Sequence, residues 1–425
     1  MNVILIMPLI VLISFRVLLF KGKFSPLRNI GDTISVLFLL SLIMGVIFSA
    51  IYPECSQFEP SLAAMVYLST CFILYFFPLY YFQRRKMMVL NVVNLFLFKF
   101  LCIFLLIGGF FAIIKSFPLV MQVFGGEINV FRLAISAGTA DVGSKTIIDT
   151  FAVGFSTFFG IAQLLGLIVF SSALFGKWSK WIGLMLLFSS FSYVFNVFTF
   201  AGRDGVVYWI LSFLFNICLI KGLLNATYVN KLNYLFGFIV LLLFVPFFLI
   251  SISRFSSEFF YYIFSYMSQQ LCTFNDVYVL DPPIYYGDLN FSGIKGIFIE
   301  DVNILPRDAL HDYYFSHGVI PWRFKFFIGS LLADFGRMGT IVFMGVISFL
   351  IFILLVKKRR DCVNDKVLSF DVLLLLYFYC QIGFMGVFYF KHSSLNNYVL
   401  SLIGLALIFL FLRLMGLKSI VSFKK

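Results

Sequence analysis

The 425-residue chain is 62% hydrophobic and 12% charged, with a formal net charge of +13 and a mean hydropathy of +1.03. That balance excludes an ordinary water-soluble domain. The basic residues collect on one side of the apolar runs, so the charge excess needs no nucleic-acid partner. In hydrocarbon every backbone N–H and C=O must be paired internally. Apolar runs close to membrane length, without period-two alternation, predict helices rather than a barrel: an all-α polytopic membrane protein.

In chain order, the first run, 1–20, lacks a basic leader and a small-residue cleavage site before Lys21 and reads as a retained span. Further runs at 33–51, 62–82, 92–114, 151–175, 182–200, 205–220, 233–252, 335–356, 368–390 and 397–415 bring the expected total to roughly eleven. The loops alternate in charge. Basic clusters at Lys21/Lys23/Arg28, Arg84/Arg85/Lys86, Lys177/Lys180, Lys221/Lys231, Lys357 to Lys366 and Arg413 to Lys425 face loops with a lower density of Lys and Arg. The positive-inside rule then puts the N-terminus outside and the C-terminus in the cytoplasm. Arg16 and Lys99, inside spans, are expected to snorkel to the inner surface. The chain divides into helices 1–8 over 1–252, a large outer loop with short amphipathic helices over 253–326, and helices 9–11 with the cytoplasmic C-terminus over 327–425. No internal repeat is visible, which weighs against a transporter built of two related halves.

Seven cysteines show no CxxC spacing. Cys71, Cys102, Cys218 and Cys380 lie in apolar runs as packing residues. Cys55 and Cys272 fall on the outer side, where a disulfide is an option.

The residues able to do chemistry cluster at that outer boundary. Gly202-Arg203-Asp204-Gly205 separates two nearly continuous spans. Either it is a tight turn with Asp204 capping the next helix, or Arg203 is a pyrophosphate-binding cation. Arg254, with Glu258 one turn on, opens an aromatic stretch, Phe255 to Tyr266, expected to be an interfacial helix. Arg254 is a second candidate for a lipid phosphate. Pro306 and Gly318 bracket a predicted helix on which Arg307, His311 and Tyr314 share a face and Asp308 and Asp312 an adjacent one. That helix is either an ordinary solvated one or a phosphate site with a base. All three histidines, His311, His317 and His392, lie outside, and no metal-site spacing occurs. Asp334 and Arg337, entering the next span, are expected to pair at i, i+3.

The arrangement resembles the O-antigen polymerases, the oligosaccharide repeat-unit polymerases of bacterial inner membranes. The resemblance covers the whole chain as architecture, and is sharper at Gly202-Arg203-Asp204-Gly205 and at Asp334-Phe-Gly-Arg-Met-Gly339. The related O-antigen ligases commonly carry His then Asn where this chain has His311-Asp312. The resemblance implies a metal-independent glycosyltransferase without a cofactor, working at the periplasmic face on undecaprenyl-pyrophosphate-linked glycans, with a chain-length regulator and a flippase as partners. It assigns His311, or else Asp308 or Asp312, as the base. Arg203, Arg254, Arg307, Arg323 and Arg337 become pyrophosphate ligands, with Asp204, Tyr314 and Asp334 in support. The rival readings are a lipid-linked oligosaccharide flippase or permease, and an O-antigen ligase.

Overall fold

A computed structural model describes residues 3–19, 24, 30–81, 89–92, 94–125, 147–220, 226–255, 259–292, 295, 306–361, 367–388, 404, 407–412 and 419–422. Five helices are long and apolar enough to cross a membrane: Ile30–Ile51, Leu62–Tyr80, Leu95–Gly125, Gly176–Phe198 and Phe326–Leu355. A sixth span is formed if Phe151–Thr157 and Phe159–Ser171, bent by 56°, count as one. The protein is a helical membrane protein. Its one departure from helices, among the described residues, is a small sheet. β1 (Val89–Val92) pairs parallel with β2 (Val367–Ser369) and antiparallel with β3 (Ser419–Ser422). Three strands of three or four residues leave the all-α class standing; in β1, Leu90 and Val92 alternate inward and are fully buried.

The chain forms two compact units. The first comprises Met1–Arg84, Phe260–Val363 and Leu374–Gly404. It holds α1 (Met7–Leu19), α2 (Ile30–Ile51) and α3 (Leu62–Tyr81). The second, Arg85–Phe259 with Asn364–Leu373 and Leu405–Lys425, holds the sheet, α4 (Leu95–Gly125), α5 (Ile147–Thr157), α6 (Phe159–Ser171), α7 (Ser179–Ser189), α8 (Ser192–Phe198), α9 (Asp204–Ile220) and α10 (Ala226–Phe255). The first unit resumes with α11 (Phe259–Leu280), α12 (Pro306–Ser316), α13 (Phe326–Asp361) and most of α14 (Phe370–Met385).

Aromatic packing fills the first unit. Phe38 of α2 meets Phe72 and Phe76 of α3 edge-on and stacks on Phe326 at 5.8 Å. The Tyr75 hydroxyl accepts from Gly383 N at 3.0 Å, an approach a Cβ at Gly383 would block. Arg16 does not snorkel. Its Nε and Nη2 donate to the two oxygens of buried Asp32 at 2.7 and 3.1 Å, so a fork meets a carboxylate inside the unit and neither charge has to reach water. Lys99 of the second unit lies 5.4 Å from the centre of the Phe175 ring.

In the second unit a polar seam ties the bent helices together. Asn216 Nδ2 donates to Gly160 O at 3.0 Å, Gln163 Nε2 to Trp209 O at 3.1 Å, and Trp209 Nε1 to Ser190 Oγ at 2.8 Å. Interrupted helices survive in hydrocarbon only where the protein supplies such partners.

Candidate functional site

In the second unit the turn between α8 and α9 is shaped by close backbone approach. Ala201 sits at φ +49°, and Gly202 N donates back to Val197 O at 3.1 Å. A Cβ on Gly202 or Gly205 would come within 2.7 Å of the Val197 side chain, so both glycines are needed to close the turn. Asp204 opens α9 and is exposed. The turn aims Arg203 at α10. Its Nη1 donates to Ser251 Oγ at 3.0 Å, and the guanidinium lies 5.9 Å from the Phe247 ring centre. Phe247, Ser251 and Arg254 stand at i, i+4 and i+7 on α10, so Arg203 rests on the helix row that ends in Arg254. The Arg254 side chain and Glu258 lie outside the described residues.

In the first unit α11 is the organising element. An aromatic interfacial helix was expected from Phe255 to Tyr266. The helix instead runs to Leu280, and 268–277 is buried without interruption. Its polar residues are taken up by the 55–61 segment. Cys272 forms a disulfide with Cys55. Asn275 Oδ1 accepts from Ser61 N at 2.8 Å. Asp276 accepts from Ser56 Oγ at 2.6 Å, Gln57 N at 3.0 Å and Phe58 N at 3.1 Å. Burial pushes the Asp276 carboxyl above the usual carboxylate range; those donors and the nearby Arg323 guanidinium act the other way. Arg323 itself donates to Cys55 O at 2.8 Å.

The helix expected between Pro306 and Gly318 is α12, ending at Ser316, with Gly318 at φ +76° and Val319 N returning to Tyr314 O at 2.9 Å. Asp308 and Asp312 are exposed, His311 is half-buried and Tyr314 is fully buried. Burial raises the Tyr314 hydroxyl pKa. The Arg307 side chain and His392 lie outside the described residues. His317 Nδ1 lies 2.8 Å from Tyr313 O.

Asp334 and Arg337 do not pair with each other as expected. Gly336, at φ +65° and ψ −177°, breaks α13 between them, so the i, i+3 relation of a continuous helix is lost. Buried Asp334 accepts from Leu289 N and Asn290 N, both at 3.0 Å, and from the Asn290 amide. Arg337 serves the end of α11: Nη2 donates to Tyr278 O at 2.8 Å, Nε lies 3.3 Å from Asp281, and the guanidinium covers the Tyr278 ring at 4.3 Å.

No family model, curated protein or solved structure matches this chain. The functional reading therefore rests on these residues. Arg203 and the α10 row ending in Arg254 belong to the second unit; His311, Asp308, Asp312, Tyr314, Arg323, Asp334 and Arg337 belong to the first. Sequence reasoning missed Asp276, Asn275 and Lys325. Lys325 Nζ sits 4.4 Å from the Tyr314 ring centre. The readable signal was the polar run Ser268-Gln269-Gln270 followed by Asn275-Asp276 inside an otherwise aromatic helix.

Proposed function

We propose that the protein is an oligosaccharide repeat-unit polymerase of a bacterial inner membrane. It would have roughly eleven spans, a periplasmic N-terminus and a cytoplasmic C-terminus. Besides the five long helices and the bent pair, four shorter apolar helices, Ile4–Leu18, Asp204–Ile220, Phe236–Ile252 and Phe370–Met385, fall within runs expected to be further spans. The eleventh, 397–415, falls largely outside the described residues. Two pairings support the charge-based topology. The three strands lie at the cytoplasmic ends assigned to the 92–114 and 368–390 runs and in the C-terminal segment, and hydrogen bonding requires them to share a side. Cys55 and Cys272 come from segments assigned outside, and a disulfide there suits an oxidising compartment.

The observation that carries the reading is Arg203 lying on the Phe247–Ser251–Arg254 row of α10. The turn sets the Arg203 guanidinium on this row, whose sequence continues to Arg254, and a guanidinium there suits a lipid pyrophosphate. The acceptor sugar hydroxyl attacks the anomeric carbon of the donor glycan, and the bond from that carbon to the pyrophosphate oxygen breaks. The arginines bear the charge that develops on departing undecaprenyl pyrophosphate. The hydroxyl proton passes to a base. Arg323 and Arg337 are occupied with the Cys55 carbonyl and the end of α11, and act as supports.

Deletion and complementation, with surface polysaccharide resolved by length, tests the reading. Loss of the gene should leave single-repeat chains. A normal ladder in the deletion strain would sink it, and absence of attached chains with accumulated lipid-linked polymer would indicate a ligase.

A further inference from the structure

The chain approaches α13 from the end of α2 and α3 that the 52–61 segment joins, since Gly318, just past α12, lies against the Gln57 side chain. The first turn of α13 is nevertheless deep between those helices. Phe326 stacks on Phe38 at 5.8 Å and meets Phe72 edge-on at 5.6 Å, and Phe327 packs against Tyr75 at 5.3 Å. Phe38 precedes Ile51, the end of α2, by 13 residues, and Phe72 follows Leu62, the start of α3, by 10. At about 1.5 Å per residue, these rings lie roughly 15–20 Å below the helix ends, near the middle of both helices. Non-helical backbone at such depth needs partners from the protein. It has them: Lys325 N donates to Phe388 O at 3.0 Å and Phe327 N to Gly386 O at 2.8 Å.

From that point the chain rises. Arg337 O accepts from the Tyr67 hydroxyl at 2.7 Å, only 5 residues into α3. Beyond it the chain descends again. Ser348 Oγ lies 2.8 Å from the Tyr379 hydroxyl, which bonds Tyr75 O, and Phe352 meets Phe77 at 5.1 Å. The neighbours taken from α3 are therefore Tyr75, then Tyr67, then Tyr75 and Phe77, a reversal with Gly336 at its apex. Phe335 and Phe343 report the same turn. Along one continuous helix they would stand about 12 Å apart, too far for their rings to meet. Their centres are 5.1 Å apart, and Phe291 touches both. Burial also changes at this glycine. Phe326, Phe327, Ile328, Leu331, Leu332 and Ala333 are at most 3% exposed, whereas Met338, Val342, Val346 and Leu350 form a stripe 52–75% exposed, as on a helix facing lipid.

We infer that residues 319–335 are a re-entrant segment hinged at Gly336. It enters from the face that carries the 52–61 connection, reaches mid-depth at Phe326, returns to the same face as a half-helix, and only the chain after Gly336 crosses the membrane. The lengths agree. Residues 337–355 span about 28 Å, close to the thickness of a hydrocarbon core, whereas an unbroken helix from Phe326 would span about 45 Å. Glycan chemistry plays no part in this inference, so it stands or falls apart from the polymerase reading.

Depth along the exposed stripe tests it. Met338→Cys, Val342→Cys, Val346→Cys, Leu350→Cys and Ile353→Cys are made singly in the full-length chain carrying Cys362→Ser, labelled with a nitroxide and reconstituted in phosphatidylcholine–phosphatidylglycerol liposomes. Cys71, Cys102, Cys218 and Cys380 are buried and Cys55 and Cys272 are bonded, so the unsubstituted Cys362→Ser chain serves as the blank. Collision rates with oxygen and with a water-soluble nickel chelate then give the depth of each label. Tm identifies any variant that does not fold, and the remaining positions still define the profile. The deepest label is expected at Val346, midway along 337–355, or one turn on at Leu350, with Met338 about 12 Å shallower than Val346. Any other maximum, or a flat profile, overturns the re-entrant segment. A maximum at Met338 or Val342 would be that of an unbroken span from Phe326.

Discussion

Two short motifs look alike in the sequence, Gly202-Arg203-Asp204-Gly205 and Asp334-Phe335-Gly336-Arg337. Each sets an arginine and an aspartate beside glycine at the edge of an apolar run. In the first, the glycines close a turn against Val197 and set the arginine on a neighbouring helix, where it donates to the Ser251 hydroxyl beside the Phe247 ring. In the second, glycine breaks a helix and both charges go to the backbone: Asp334 to the 289–290 amides, Arg337 to the end of α11. A charge bonded to main chain organises the fold, while Arg203 bonds a side-chain hydroxyl on a neighbouring helix. Variants can separate the two.

The largest effect on stability is expected at Asp334. Replacing it with Ala leaves two buried amides and the Asn290 side chain without their acceptor, at a cost of about 3 kcal/mol. Thermal unfolding in detergent should show it, with Asp334→Asn losing about half as much. A Tm unchanged by Asp334→Ala would mean that the 287–291 turn does not depend on this carboxylate. Arg203→Ala should behave in the opposite way. Polymerisation should fall about a hundredfold, as when a donor to a developing negative charge is removed, with insertion and Tm retained. If Arg203→Ala instead unfolded the protein while leaving long chains in the survivors, the two motifs would have to exchange roles.

Hydrophobicity is local, so the long apolar helices could be read directly from runs of apolar residues. Whatever depends on distant partners could not. The α11 helix looks interfacial because its start, through Tyr266, is so aromatic, while the polar Gln269, Gln270, Asn275 and Asp276 beyond it have no obvious partner in the sequence. Its acceptors and donors lie on the 56–61 segment, 220 residues away in the case of Ser56 and Asp276. Periodicity carries no information at that separation. The charge pattern put Cys55 and Cys272 on one side, but a pairing needs Cα atoms brought to 6.1 Å, which only the packing of α11 provides. The face of α12 is a middle case. Helix spacing grouped Arg307, His311 and Tyr314, yet it could not show that Tyr314 is buried while Asp308 and Asp312 are exposed.

Gly336 shows why the second motif reads wrongly as a helical pair. At φ +65° and ψ −177° it occupies backbone space that side chains rarely enter, and a Cβ there would lie 2.7 Å from Ile284 Cδ1. Gly336→Ala should cost about 2 kcal/mol in unfolding experiments. Adding Ile284→Ala removes the clash but not the backbone strain, so the double variant should keep most of the loss. Full recovery would show that the side chain, rather than the dihedral, sets the requirement for glycine here.

The smallest effect is expected at Arg337. Its ion pair with Asp281 spans 3.3 Å, but the two side chains are 38% and 57% exposed, so solvent screens most of the attraction. What remains is the hydrogen bond to Tyr278 O, the contact with the Tyr278 ring, and a positive charge at the C-terminal end of α11. Together these predict a loss of about 1 kcal/mol for Arg337→Ala, somewhat less at high salt, with the polysaccharide ladder retained. The comparison with Arg203 is sharpest in this variant. An unchanged Tm with a collapsed ladder would place Arg337 among the residues that bind substrate. The division between charges that hold the backbone and charges kept for ligand would then fail at the position where it makes its finest distinction.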